Sequence, residues 1–140
     1  MRSKGNNELH VTSTHYDDQI ALDLVRGSQR TVAIHGCEGN ESVAYIGGSD
    51  DRLIELITES LEDIGISVRE APHHISGTQE NNIVNMTQTQ GGVQLELTAQ
   101  LRKELFKNRK SSRKNRENKD NWDDLMYDFA DAMKKAIERA

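Results

Sequence analysis

Gly91-Gly92-Val93-Gln94-Leu95-Glu96-Leu97 is the run on which the fold turns. Val93, Leu95 and Leu97 alternate with Gln94 and Glu96, the period-two pattern of a strand with one apolar and one polar side. Glu96 therefore points away from the leucines. A carboxylate there is disfavoured if buried without a partner, so its face is either solvated or lines a site. A second strand-like run, Glu8-Leu9-His10-Val11-Thr12-Ser13, carries a histidine. If the two strands lie close together, a metal-ligand type and a general-base type meet.

Outward from that strand, short apolar runs alternate with helical patterns. Ile20, Leu24 and Val25 recur at helical spacing behind Asp17-Asp18, and Gly27 suits the stop. Thr31 to His35 reads as a buried strand ending in a loop, His35-Gly36-Cys37-Glu38-Gly39-Asn40. Ser42 to Ile46 is another strand, closed by Gly47-Gly48, a turn before an N-cap at Ser49. A helix is expected over residues 50–64, with Leu53, Ile57, Leu61 and Ile64 on one stripe, ended by Gly65. Ile66 to Glu70 forms a strand. A long polar loop then runs from Pro72 to Gly92, a length uncommon unless functional or disordered. A helix follows from Thr98 to Asn108. Residues 107–119 read as a basic connector or frayed helix. Residues 120–140 read as a C-terminal amphipathic helix with Trp122, Leu125, Met126, Phe129, Met133 and Ile137 inward. The expected class is α/β, an open mixed or mostly parallel sheet flanked by helices, in a single domain over 1–140. In such sheets ligands sit beyond the carboxyl ends of strands, where His35 falls.

The chain has 140 residues, 34% hydrophobic and 29% charged, with a net charge of −5. That balance argues against nucleic acid and anionic membranes as partners. Cys37 is the only cysteine, so no intrachain disulfide forms. The first residues lack an apolar signal region, and no run reaches the ~20 apolar residues of a bilayer span. The expectation is a soluble cytoplasmic protein, released, where it acts outside, by lysis.

Several motifs leave two readings. His10 is either a structural strand-end histidine or a ligand, and His15 reads as surface. His35 with Cys37 and Glu38 resembles part of a metal cluster, but zinc sites need more donors than these. His35 could equally contact a substrate carboxylate. Gly47-Gly48 lacks the pattern and lysine of a phosphate cradle. His73-His74 are adjacent and diverge, so a polar loop accounts for them. Asn82 and Asn85 bracket Ile83-Val84, and such amides either hold a loop or bind a ligand. Arg102 is a surface charge or a carboxylate clamp.

Taken in order, Leu9-His10-Val11-Thr12-Ser13, Ala33-Ile34-His35-Gly36-Cys37, Gly47-Gly48, Gly77-Thr78, Asn82-Ile83-Val84-Asn85 and Gly92-Val93-Gln94-Leu95-Glu96-Leu97 with Leu101-Arg102 resemble one family. It is the phage-type poly-γ-glutamate hydrolase family of Bacillus chromosomes and their phages, with the family core at residues 8–106. The resemblance implies a zinc-carboxypeptidase-like fold and zinc-dependent hydrolysis of γ-glutamyl amide bonds in poly-γ-glutamate. It implies His10 as a zinc ligand and Glu96 as general base. Asn82, Asn85, Arg102 and His35 become candidate substrate contacts. Zinc would polarise the scissile carbonyl and acidify its water, and Glu96 would carry the proton to the leaving amine.

The chain departs from that pattern at its start. An early His-Gly-Gly element with a nearby Glu, which supplies two zinc ligands in the family, has no match in the nine residues before His10. Met86 stands where the family usually has a basic residue. The expectation is therefore an N-terminally truncated member with an exposed sheet edge. Three readings follow. Substitute ligands among His10, His35, Glu38 and Glu41 could keep it active. It could be a catalytically inactive prophage remnant or polyglutamate-binding module. Or a complementing chain could restore the site; a homo-oligomer is also compatible.

Overall fold

The computed structural model describes residues 10–140. Four strands form one sheet in the order β1-β4-β2-β3: β1 (Val32–Cys37), β2 (Val43–Gly48), β3 (Ser67–Glu70) and β4 (Val93–Thr98). β4 is interior, parallel to β1 and antiparallel to β2, while β3 runs parallel to β2. The sheet is therefore mixed and open, as the alternation of strands and helices predicts.

One side of the sheet carries Ala44, Ile46, Val93, Leu95 and Leu97 into the hydrophobic core. Two helices close it. In α2 (Asp51–Asp63), Leu53, Leu56, Ile57 and Leu61 are buried. Its cap is Asp50, whose carboxylate accepts from the Leu53 amide, one residue later than the expected Ser49. In α4 (Asp124–Arg139), Phe129, Ala132, Met133 and Ala136 are buried, and the helix packs against α2. α4 begins at Asp124, capped by Asp123, rather than at 120. Trp122 thus precedes the helix, and Ile137 is 42% exposed. The two alanines permit close approach, and the stripe shifts toward them.

The other helices differ more from expectation. In α1 (Gln19–Arg26) the buried residue is Leu22, whereas Ile20 and Leu24 are 74% and 68% exposed. The helix meets the fold through the 83–85 turn, with Leu22 inward and Ile20 and Leu24 outward. α3 (Ala99–Glu104), capped by Thr98, stops well short of Asn108. Phe106 beyond it pairs with Trp122 in an isolated bridge. The Trp122 indole donates to the Arg116 carbonyl at 2.8 Å. The 107–119 segment is thus a closed loop with its own contacts, and Asn108 and Arg109 adopt positive φ at its first turn.

The first expected strand does not form in the described residues. Glu8 and Leu9 lie outside them; 10–12 are irregular, and Ser13–His15 is a short 3-10 turn. Val11 is 51% exposed there, and among the described residues no strand pairs with it. β1, by contrast, runs on through His35-Gly36-Cys37, expected as a loop, because these residues pair with Glu96, Leu97 and Thr98. Glycine at 36 matters: a Cβ there would meet the Arg102 guanidinium at 2.9 Å. No described helix is long and apolar enough to cross a membrane.

Candidate functional site

Gln94, Glu96 and Thr98 share the side of β4 opposite the core, yet all are buried. Thr98 is covered by the loop after β1, its hydroxyl donating to the Glu41 carbonyl at 2.7 Å. Gln94 and Glu96 are covered by the 72–92 segment, which is long but not structureless. It contains 3-10 turns at His73–Ile75 and Ile83–Asn85. The Asn85 amide donates to the Gly77 and Gln79 carbonyls at 2.6 and 3.0 Å and accepts from the Gly92 amide at 3.1 Å. The Thr87 hydroxyl donates to the Gly91 carbonyl at 2.6 Å. The segment lies so close to β2 that a Cβ on Gly47 would strike the Ser76 carbonyl. Gly47 and Gly48 are therefore the last strand residues and a contact surface, rather than only a turn.

Between this segment and the residues after His10 lies a cavity of about 320 Å³. His10, His35, His73, His74, Asn82, Gln94 and Glu96 all line it. A hydrogen-bond chain runs along its wall. The Asn82 side-chain amide donates to Gln94 Oε1 at 3.2 Å; the Gln94 side-chain amide donates to Glu96 Oε1 at 3.1 Å and to the Ile75 backbone carbonyl at 3.2 Å. His35 Nδ1 lies 3.9 Å from Glu96 Oε1. His35, Glu96 and Tyr45 stand side by side across β1, β4 and β2.

Glu96 is 6% exposed. Burial pushes its carboxyl above the usual range, and His35, the Gln94 hydrogen bond and His74 pull part of the way back. The buried carboxylate is thus tuned toward accepting a proton. Burial, reinforced by Glu96, also raises the Cys37 thiol, against the opposing charge of Arg102. That thiol is a strand residue held in its unreactive form.

Of the residues expected at a site, His10, His35, Asn82 and Glu96 come together at this cavity. Asn85 lies behind it, fastening loop backbone. Arg102 does not line it. Its guanidinium donates to the Leu97 and Cys37 carbonyls at 3.2 and 3.0 Å, packed over Gly36. Gly36 pairs with Leu97, on the core side of the sheet, so Arg102 clamps strand ends from the side opposite Glu96. Gln94, His73 and His74 join the site without having been expected there. Gln94 was legible, since residues two apart in a strand share a face. The histidines were not, because the turn at His73–Ile75 returns them over β4.

Four imidazoles and a carboxylate are suitable zinc donors by type. No group of three His, Cys, Asp or Glu among the described residues is placed to hold a metal ion, however. His10 as a ligand therefore lacks two partners within residues 10–140, and the described residues do not fit a three-donor centre.

The sequence profile of the poly-gamma-glutamate hydrolase family matches residues 1–132. The chain belongs to that family, and the match runs past residue 106 into α4. The SPbeta prophage-derived UPF0714 protein YoqZ of Bacillus subtilis (strain 168) is 36% identical over 108 residues, 76% of this chain and 39% of its own length. UPF0714 protein YmaC of the same strain is 31% identical, over 99% of this chain and 58% of its own. The chain therefore spans well under two thirds of these relatives. A bacteriophage poly-gamma-glutamate hydrolase superimposes with a TM-score of 0.91 at 32% identity, over 99% of this chain and 66% of that one. The zinc-free apo form of YndL superimposes with a TM-score of 0.87 at 28% identity, over 98% and 67%.

Proposed function

We propose that this member of the poly-gamma-glutamate hydrolase family acts on γ-glutamyl amide bonds of poly-γ-glutamate, with Glu96 as the general base. The observation that carries the reading is a nearly buried carboxylate with a raised pKa on the wall of a polar, imidazole-rimmed cavity. A base works best when its pKa approaches the working pH, and burial moves Glu96 that way. The described contacts to its carboxylate fall on Oε1, from Gln94 and His35. Oε2 is then the oxygen for an attacking water. Glu96 takes the water's proton as the oxygen attacks the amide carbon, then gives it to the leaving nitrogen. Asn82 and Gln94 hold the base in place, and His35 and Asn82 are the cavity groups offered to the substrate.

Zinc, which the family resemblance implies, would need donors from beyond the described residues. That favours a second reading, in which residues 10–140 bind polyglutamate without cleaving it, as a binding module or an inactive remnant. Fragment release from poly-γ-glutamate, followed with and without added zinc, separates the two. Under the first reading the full chain releases γ-glutamyl fragments, and Glu96→Gln slows release by about 10²–10⁴-fold while binding persists. Binding with no release under either condition supports the second. Equal release by Glu96→Gln overturns the role of Glu96.

A further inference from the structure

The row of residues that holds Glu96 does not end at the cavity. His35 pairs with Glu96, Glu96 with Tyr45, and Tyr45 with Arg69. Directly paired residues share a face, so one polar line crosses all four strands on the side away from the core. Arg69 stands two strands from Glu96, about 10 Å at the backbone. Its guanidinium holds the Glu41 carboxylate at 2.7 Å, and both side chains are largely open to solvent. The Tyr45 phenol lies close enough to add to the hold on the arginine's charge, after Glu41 itself. This guanidinium is built to hold a carboxylate, and its present one comes from the loop following β1.

An ion pair this exposed contributes little to folding, so exchanging Glu41 for another carboxylate costs little. A γ-linked glutamate chain carries one free α-carboxylate per residue. Each residue advances the chain by five bonds, one of them the planar amide, about 6 Å extended. With an amide at Glu96, the carboxylate one or two residues along reaches the neighbourhood of Arg69. Arginine's planar fork fits such a group better than a lysine point charge.

We propose that Arg69, backed by Tyr45, is a carboxylate subsite for the γ-glutamyl chain, and that Glu41 is an internal latch which the substrate displaces. The proposal rests on poly-γ-glutamate being the ligand. The test is titration of a labelled short poly-γ-glutamate onto the full chain carrying Glu96→Gln, which blocks turnover, read by fluorescence anisotropy. In that background Arg69→Ala weakens binding about tenfold, the loss of one charge-assisted fork. Arg69→Lys falls between. Glu41→Gln tightens binding severalfold, because the latch no longer competes. Arg52→Ala, which removes another solvent-exposed arginine, paired with Glu55 on α2, changes the net charge equally and leaves affinity near the parent's. If the parent binds but Arg69→Ala matches Arg52→Ala, or if Glu41→Gln weakens binding, the subsite is wrong and the substrate reading stands. If the parent does not bind the polymer at all, both fall.

Discussion

Leu95 and Glu96 are neighbours in β4 at 0% and 6% exposure, and their surroundings have nothing in common. Leu95 faces α2 and α4 within a continuous apolar cluster. Glu96 faces Gln94, His35 and a cavity. Both sides of the strand exclude most water, so burial does not separate core from site. The difference lies in what each side would lose. Removing a leucine leaves a void; removing a polar partner leaves a group without a bond. Among the described residues no buried side-chain nitrogen or oxygen lacks a hydrogen-bond partner. That satisfied network is what allows a carboxylate to sit there without unravelling the strand.

The sharpest way to break the comparison is to cut each side in turn. Leu95→Ala empties a position in the middle of the cluster. It is expected to destabilise the fold by about 2–5 kcal/mol, the range for leucine deletions in tight cores. Urea unfolding measures this directly. Substrate affinity of the fraction still folded should change little, because Leu95 faces away from the cavity. A loss below about 1 kcal/mol would mean that the leucine side is not the main support of the sheet.

Most of this division is legible in the chain itself. Alternation in Val93 to Leu97 assigns both faces, and Leu53, Ile57 and Leu61 place α2 on one of them. Type and position leave Glu96, His35 and Asn82 open between structural and site readings; the family resemblance makes them candidates, and all three line the cavity. The rest depended on contacts between distant segments. α1 shows Ile20 and Leu24 to solvent because its tertiary contact, not its composition, chooses the buried side. Arg102 six residues after Glu96 invites a substrate-clamp reading, yet a helix start turns it to the other face, over a glycine that leaves room. His73 and His74 diverge as neighbours, and only the fold of the 72–92 segment puts both at one cavity.

Cutting the polar side gives a smaller and different loss. Asn82 accepts from the Val84 amide at 3.0 Å and donates to Gln94. Asn82→Ala leaves both partners buried and unpaired, at an expected cost of about 1–3 kcal/mol. It should also loosen the 72–92 segment, seen as faster amide exchange at Val84 and Asn85 while β4 amides stay protected. Uniform loss of protection across the sheet would show instead that the two sides are one cooperative unit.

The smallest effect is the most specific to Glu96. Its carboxyl pKa is raised in the folded protein, chiefly by burial. Below the ordinary carboxylate value the group is protonated in both folded and unfolded chains, and pH has no leverage through it. Above that value the unfolded chain ionises first, so the folded protein binds the extra proton and stability falls as pH rises. The fall ends once pH passes the raised folded value. Glu96→Gln removes the titration. The stability difference between the variant and the parent should therefore grow in the variant's favour with rising pH across that window, then level off. Paired urea unfolding curves from acid to neutral pH measure it, and each is compared at the same pH so that other carboxylates cancel. A difference that stays flat, or grows toward acid pH, would mean that hydrogen bonds and imidazole charge outweigh burial, and that Glu96 is held ionised like a surface carboxylate. The leucine side has no counterpart to this behaviour: Leu95→Ala should lower the curve by the same amount at every pH.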